Sequence, residues 1–117
     1  MSGRISYQAG LAAEAIALRH YEAHGASLRA RRWRGTGAEI DLIVKLGNTL
    51  VFVEVKKSRD FDRAAEALSR AQMQRIYGAA TEYLANEPSG QDTDMRFDVA
   101  LVNGQGALRV VENAFGH

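Results

Sequence analysis

The feature that most constrains this chain is a pair of apolar runs set back to back, Glu39–Leu46 and Thr49–Lys56, joined by Gly47-Asn48. Ile40, Leu42, Ile43 and Val44 fill the first run; Leu50 to Val53, with Val55, fill the second. Gly-Asn suits a two-residue hairpin loop, whose backbone follows the twist of the strands it joins. A sheet with one wet face would alternate more cleanly between apolar and polar residues than these runs do. Strands covered on both faces read this way. The hairpin therefore belongs in the middle of a sheet, with further layers on either side.

The rest of the chain can supply those layers. A first helix is expected from about Tyr7 to His24, with Ala9, Ala12, Ala13, Ile16 and Ala17 as its apolar positions and Gly25 as its stop. Residues 61–86 read as a second, long helix: alanine-rich, without glycine or proline until Gly78, and with Asp60 and Asp62 near its positive end. Ser27–Trp33, Met95–Val102 and Ala107–Val111 read as further strands, and Pro88 opens a loop of turn formers. The order α-β-β-β-α-β-β predicts an α/β fold, a mixed central sheet flanked by helices, as a single domain over residues 1–117.

Composition narrows the chemistry. The chain has no cysteine, which removes disulfides, thiolate metal sites and a cysteine nucleophile. No apolar run approaches the ~20 residues of a membrane span, and the N-terminus leads into no apolar signal core. A cytoplasmic protein with no membrane partner is the expectation. Net charge is +1, but residues 1–37 carry +4 and residues 38–117 carry −3. Arg29, Arg31, Arg32 and Arg34 surround Trp33, the one tryptophan. Arginines beside an aromatic can bind phosphate and stack on bases; with Lys57 they are the candidate nucleic-acid contacts. A solvated strand edge with Trp33 packed inward fits the same pattern, and both readings stay open.

The hairpin places chemistry by register. If Gly47-Asn48 is the loop, Leu46 faces Thr49 and paired positions sum to 95, so Asp41 lies opposite Glu54 and Glu39 opposite Lys56. All four side chains then share one face, with opposed Cβ atoms roughly 4.5–5.5 Å apart. Like charges directly opposite destabilise a hairpin, and buried charges are normally paired or bound to metal. A hard, oxygen-ligated cation such as Mg²⁺ or Mn²⁺ relieves that repulsion, being held by one or two carboxylates plus water and substrate phosphate. Lys56 could then orient or deprotonate a water, or neutralise a phosphate. These parts describe metal-assisted phosphodiester hydrolysis. The competing reading is a cross-strand salt-bridge ladder on an exposed face, and the apolar context weighs against it.

Two further residues are candidates. Gln72 shares helical spacing with Leu68, Ile76, Ala79 and Tyr83, so it points inward and needs a hydrogen-bond partner: substrate, a carboxylate or a backbone group. Glu14 lies within Ala12–Ile16 of the first helix, either as a further metal carboxylate or as an ordinary solvated glutamate. His20, His24 and His117 follow no ligand spacing that completes a metal site.

Gly37-Ala38-Glu39-Ile40-Asp41-Leu42-Ile43 followed by Val51-Phe52-Val53-Glu54-Val55-Lys56 resembles the YraN family of small bacterial proteins, itself similar to Holliday-junction resolvases within the restriction-endonuclease-like PD-(D/E)xK superfamily. The resemblance extends to Gly10-x3-Glu14, Ala80-x2-Tyr83-Leu84, Arg96-Phe97-Asp98-Val99 and Asn113-Ala114-Phe115. It implies a restriction-endonuclease-like αβββαβ core, with Asp41, Glu54 and Lys56 as the acidic pair and lysine. It also makes Glu14 the helix glutamate that several members add. Two departures remove positive charge: Ser58 stands where the family usually carries arginine, and Gln72 where it tends to carry lysine.

The leading expectation is a Mg²⁺- or Mn²⁺-dependent endonuclease acting on nucleic acid, DNA rather than RNA, with branched or damaged DNA as candidate substrates. Asp41 and Glu54, with Glu14, would hold the metal; Lys56 would act on water or phosphate; Gln72 would orient substrate. A homodimer would supply the symmetry that two-strand cleavage invites. The alternatives are a non-catalytic nucleic-acid-binding or protein-interaction module on the same fold, and a purely structural cation.

Overall fold

A computed structural model of the protein describes residues 3–57 and 69–114. It contains α1 (Gly3–Ala23), β1 (Ser27–Arg34), β2 (Glu39–Leu46), β3 (Thr49–Lys57), α2 (Arg70–Leu84), a short 3-10 turn (Gly90–Asp92), β4 (Met95–Val102) and β5 (Leu108–Val111). The five strands form one sheet in sequence order. Neighbours are antiparallel except β3 and β4, which run parallel because α2 lies between them in the chain. The expected small α/β fold with a mixed sheet and helices on it is what the chain adopts.

The apolar runs sit where their composition demands. Leu42, Val44, Val51 and Val53 pack with Ala17, Leu18 and Tyr21 of α1 on one face of the sheet. Ile40, Ile43, Leu50 and Phe52 pack with Ile76, Ala79, Ala80 and Leu84 of α2 on the other. β2 and β3 pair from Leu46↔Thr49 to Leu42↔Val53, a constant sum of 95. Gly47 opens the turn at φ +61°, a left-handed conformation that glycine adopts without the steric cost of a Cβ. No helix among the described residues is long and apolar enough to cross a membrane.

The second helix is shorter than its composition suggests. Residues 61–68 lie outside the described part of the chain, and so do Asp60, Asp62 and Ser58. At Ser69 the backbone is extended, φ −81° and ψ 160°, and its hydroxyl accepts the Gln72 N–H, so α2 starts at Arg70. An unbroken helix over 61–86 is therefore corrected. A serine oxygen competes for helical backbone donors better as a cap than from a helix interior.

The β1–β2 connection is latched to α2. Thr36 donates its backbone N–H and its hydroxyl to the Glu82 carboxylate. Gly35 lies so close to α2 that a Cβ there would meet Glu82 Oε2 at 2.6 Å and the Ala79 Cβ at 2.8 Å. Gly35→Ala is expected to destabilise the fold by about 1–3 kcal/mol through overpacking against a buried helix face. Urea unfolding measures it. An unchanged midpoint would mean the loop is free to lift.

Candidate active site

The hairpin opens at the acidic pair. The β2–β3 ladder stops at Leu42↔Val53. One residue further, Asp41 makes its bond with its side chain: Oδ2 accepts the Val55 N–H at 2.7 Å. The carboxylate thus takes the amide that follows Glu54, and the two acids meet side chain to side chain.

The pleat slips at the same place. Strict alternation would put Ile40 on the face of Leu42, yet Ile40 packs under α2 while Leu42 packs under α1. β1 slips alongside. Ala30 and Trp33 both pack against the α2-side core although they are three residues apart, and Trp33 meets Tyr83 edge to face at 5.4 Å. Between them Arg32 adopts φ +44°. It stands between the pairs Arg31↔Leu42 and Trp33↔Ile40, across from Asp41. A non-glycine residue held there costs on the order of 1–3 kcal/mol and persists only where its surroundings hold it. Strand pairs hold it on both sides, and its side chain makes an ion pair: Arg32 Nη1 lies 2.6 Å from Glu14 Oε1 of α1.

Four elements, α1, β1, β2 and β3, therefore bring Glu14, Arg32, Glu54 and Lys56 around Asp41. Glu54 is buried, at 7% exposure. Its carboxyl is pushed up to about 9, first by burial and then by the hydrogen bond and charge of Asp41, with Lys56 and the Val55 amide opposing. Burial also raises Glu14, with Asp41 and Glu39 adding to the rise and Arg32 countering it. In both, burial leads and the neighbouring Asp41 adds to the rise. Among the described residues no three carboxylate or imidazole groups stand as a finished metal cage. The donor set still fits a Mg²⁺- or Mn²⁺-like ion, which takes hard oxygen ligands and is commonly held by one or two carboxylates.

A family model described as "Uncharacterised protein family UPF0102" matches residues 13–102. The chain belongs to that family. A UPF0102 protein of Ruegeria pomeroyi is 60% identical over 115 residues, covering 98% of this chain and 94% of the relative. One from Cereibacter sphaeroides (strain ATCC 17025) is 55% identical over 115 residues, covering 98% of each chain. A Roseobacter denitrificans UPF0102 protein is 52% identical over 113 residues, covering 97% of this chain and 88% of its own. UPF0102 is the YraN family that the Glu-Ile-Asp-Leu and Val-Glu-Val-Lys segments resemble. The UPF0102 match begins one residue before Glu14 and ends with β4, so it spans every residue of the cluster.

The other candidate residues are spread over this UPF0102 fold. Gln72 is half-buried in the first turn of α2, and among the described residues its side chain makes no hydrogen bond to Asp41 or Glu54. Arg29 pairs with Glu87 at 2.9 Å, toward the hairpin-loop end of the sheet. Arg34 pairs with Glu39 at 3.2 Å and is 80% exposed, and Arg31 is exposed. Lys57 is exposed at the edge of a cavity of about 220 Å³ between α1 and the loop after β4. Two pairings could not be read from the sequence, although their residues stood in its motifs. The Arg32–Glu14 pair depends on a left-handed residue that no composition rule places. Asp98, fully buried, accepts the Tyr21 hydroxyl at 2.7 Å, Arg96 Nε at 3.1 Å and the Asn113 N–H at 3.0 Å. Tyr21 and Asp98 lie 77 residues apart, beyond any spacing argument.

Proposed function

We propose that this protein is a Mg²⁺- or Mn²⁺-dependent endonuclease that hydrolyses phosphodiester bonds in DNA. The observation that carries the reading is the pair Asp41 and Glu54, pressed together where β2 and β3 part, with Lys56 two residues beyond Glu54. A buried acid pressed against a half-buried one is a liability that a divalent cation removes. Asp41 and Glu54 would hold the ion, with Glu14 as a further ligand. A bound ion of this kind supplies charge neutralisation at the phosphate and a more acidic water.

The chain's own groups do the rest. Lys56, half-buried beside Glu54, would donate to a phosphate oxygen or orient the attacking water. Gln72 would orient substrate from α2. Arg31, Arg34, Arg29 and Lys57 would meet the phosphate backbone as a dispersed set of cations, giving affinity that weakens with salt. One small domain presents one such cluster, so cutting both strands of a duplex or junction would call for a second copy.

The test is cleavage of linear duplex, single-stranded and four-way-junction DNA with Mg²⁺ or Mn²⁺, comparing wild type with Asp41→Asn. Cutting that requires metal and disappears in Asp41→Asn supports the nuclease and reveals its preferred substrate. Folded wild-type protein that cuts nothing across the panel would move the reading to a binding module on this fold. Metal binding that survives Lys56→Ala, with cleavage seen on no substrate, would mark a structural cation.

A further inference from the structure

Arg32 is placed at an energetic disadvantage, and the neighbourhood that repays it is the acidic cluster itself. Its backbone sits at φ +44°, a region that asparagine and glycine visit easily and arginine does not. The kink lets Ala30 and Trp33 both reach the α2-side core and sends the Arg32 side chain to α1 instead. There the guanidinium meets Glu14 at 2.6 Å, with side-chain exposures of 36% and 14%, directly across the strand from Asp41. Other arginines of β1 pair at its ends, with Glu87 and Glu39. Arg32 alone is paired into the cluster.

We propose that Arg32 is a built-in counter-cation: it holds Glu14 in the position a divalent ion would claim, and the site loads by exchanging the guanidinium for the metal. This rests on the metal-site reading above. A guanidinium and a divalent cation draw on the same carboxylate charge and repel each other across it, so Arg32 on Oε1 weakens the hold of an ion on Glu14. The pair lets the protein fold with its acids partly neutralised. It also sets a threshold that metal must overcome before Glu14 is free to ligate.

Mn²⁺ titration by calorimetry tests this on wild type, Arg32→Asn, Asp41→Asn and the double variant. Asparagine is chosen because it tolerates the left-handed backbone. Arg32→Asn is expected to bind Mn²⁺ roughly tenfold more tightly, since removing a unit charge a few ångströms from a divalent ion is worth about that factor even at water-like screening. Asp41→Asn should abolish binding in both backgrounds. A second measurement needs no variant to fold: the Arg32 Nε–H resonance of wild type should move as Mg²⁺ is added. Wild type that binds Mn²⁺ while Arg32→Asn binds equally or more weakly, or an Arg32 resonance indifferent to saturating Mg²⁺, overturns the exchange and leaves the metal site standing. Binding by none of the proteins overturns both.

Discussion

Glu54→Gln is expected to raise the stability of the metal-free protein at pH 8 while abolishing metal-dependent cleavage. Glu54 is buried against Asp41, and its carboxyl is lifted from an ordinary 4.5 to about 9, so near neutral pH it keeps its proton when no metal is present. Stability from the neutral form is fully present below about 4.5 and is lost as pH rises toward 9. The unfolded chain releases this proton earlier than the folded one. The slope cannot exceed about 1.4 kcal/mol per pH unit for one proton. Thermal unfolding of wild type in chelator should therefore fall across this window, and glutamine should flatten the curve. Metal must displace the same proton, so Mn²⁺ should stabilise wild type more as pH rises, and Glu54→Gln little at any pH. A wild-type midpoint that stays level from pH 5 to 9 in chelator would remove the crowded-acid description on which the function rests.

The largest stability loss is expected one strand away, at Asp98 of β4, which faces Val53 of β3. This carboxylate is fully buried in the face under α1 and gathers donors from three places: Tyr21 of α1, Arg96 of its own strand, and the backbone of Asn113. Burial, then the bond to Asp98, hold the Tyr21 hydroxyl well above the ordinary phenol range. Asp98→Ala strands all three donors. Removing one partner of a buried, hydrogen-bonded ion pair costs about 3–5 kcal/mol. Arg96 is 26% exposed and keeps some water and a contact to Glu112 at 3.7 Å, which favours the lower end. A domain this small has on the order of 5–15 kcal/mol in total, so the variant should unfold at much lower urea. Tyr21→Phe, losing one bond to a charged acceptor, should cost about 1.5–3 kcal/mol. An Asp98→Ala protein as stable as Tyr21→Phe would show that the hydroxyl bond, not the ion pair, matters there.

The hairpin was legible because its information is local. A two-residue turn fixes the register, and two apolar runs fix the burial, so Asp41 and Glu54 could be brought together by counting. Counting failed to show how they meet. Strict alternation puts Asp41 flat against its opposite number, whereas the pleat slips at Ile40 and the Asp41 carboxylate turns in to take the Val55 amide. The arginine cluster was legible as a composition and misleading as a unit: its members reach Glu87, Glu14 and Glu39 in three directions. Only Arg32 joins the acids, and only a positive φ explains how. Ser69 shows the opposite failure. An alanine-rich stretch suggests one long helix, while a single hydroxyl with a backbone donor three residues on sets a boundary that propensity cannot see.

The Asp98 junction also bears on timing. The ribosome delivers the chain from its N-terminus, and the hairpin holding Asp41 and Glu54 is complete by residue 57. Tyr21, on the helix that brings Glu14, must wait for Asp98, and Asp98 receives its last donor from Asn113. The next residue, Ala114, ties its N–H to Phe97 at 2.7 Å. A nascent chain thus owns its acidic pair long before it owns the clasp that seats the third acid. Synthesis supplies the hairpin first and the clasp more than fifty residues later.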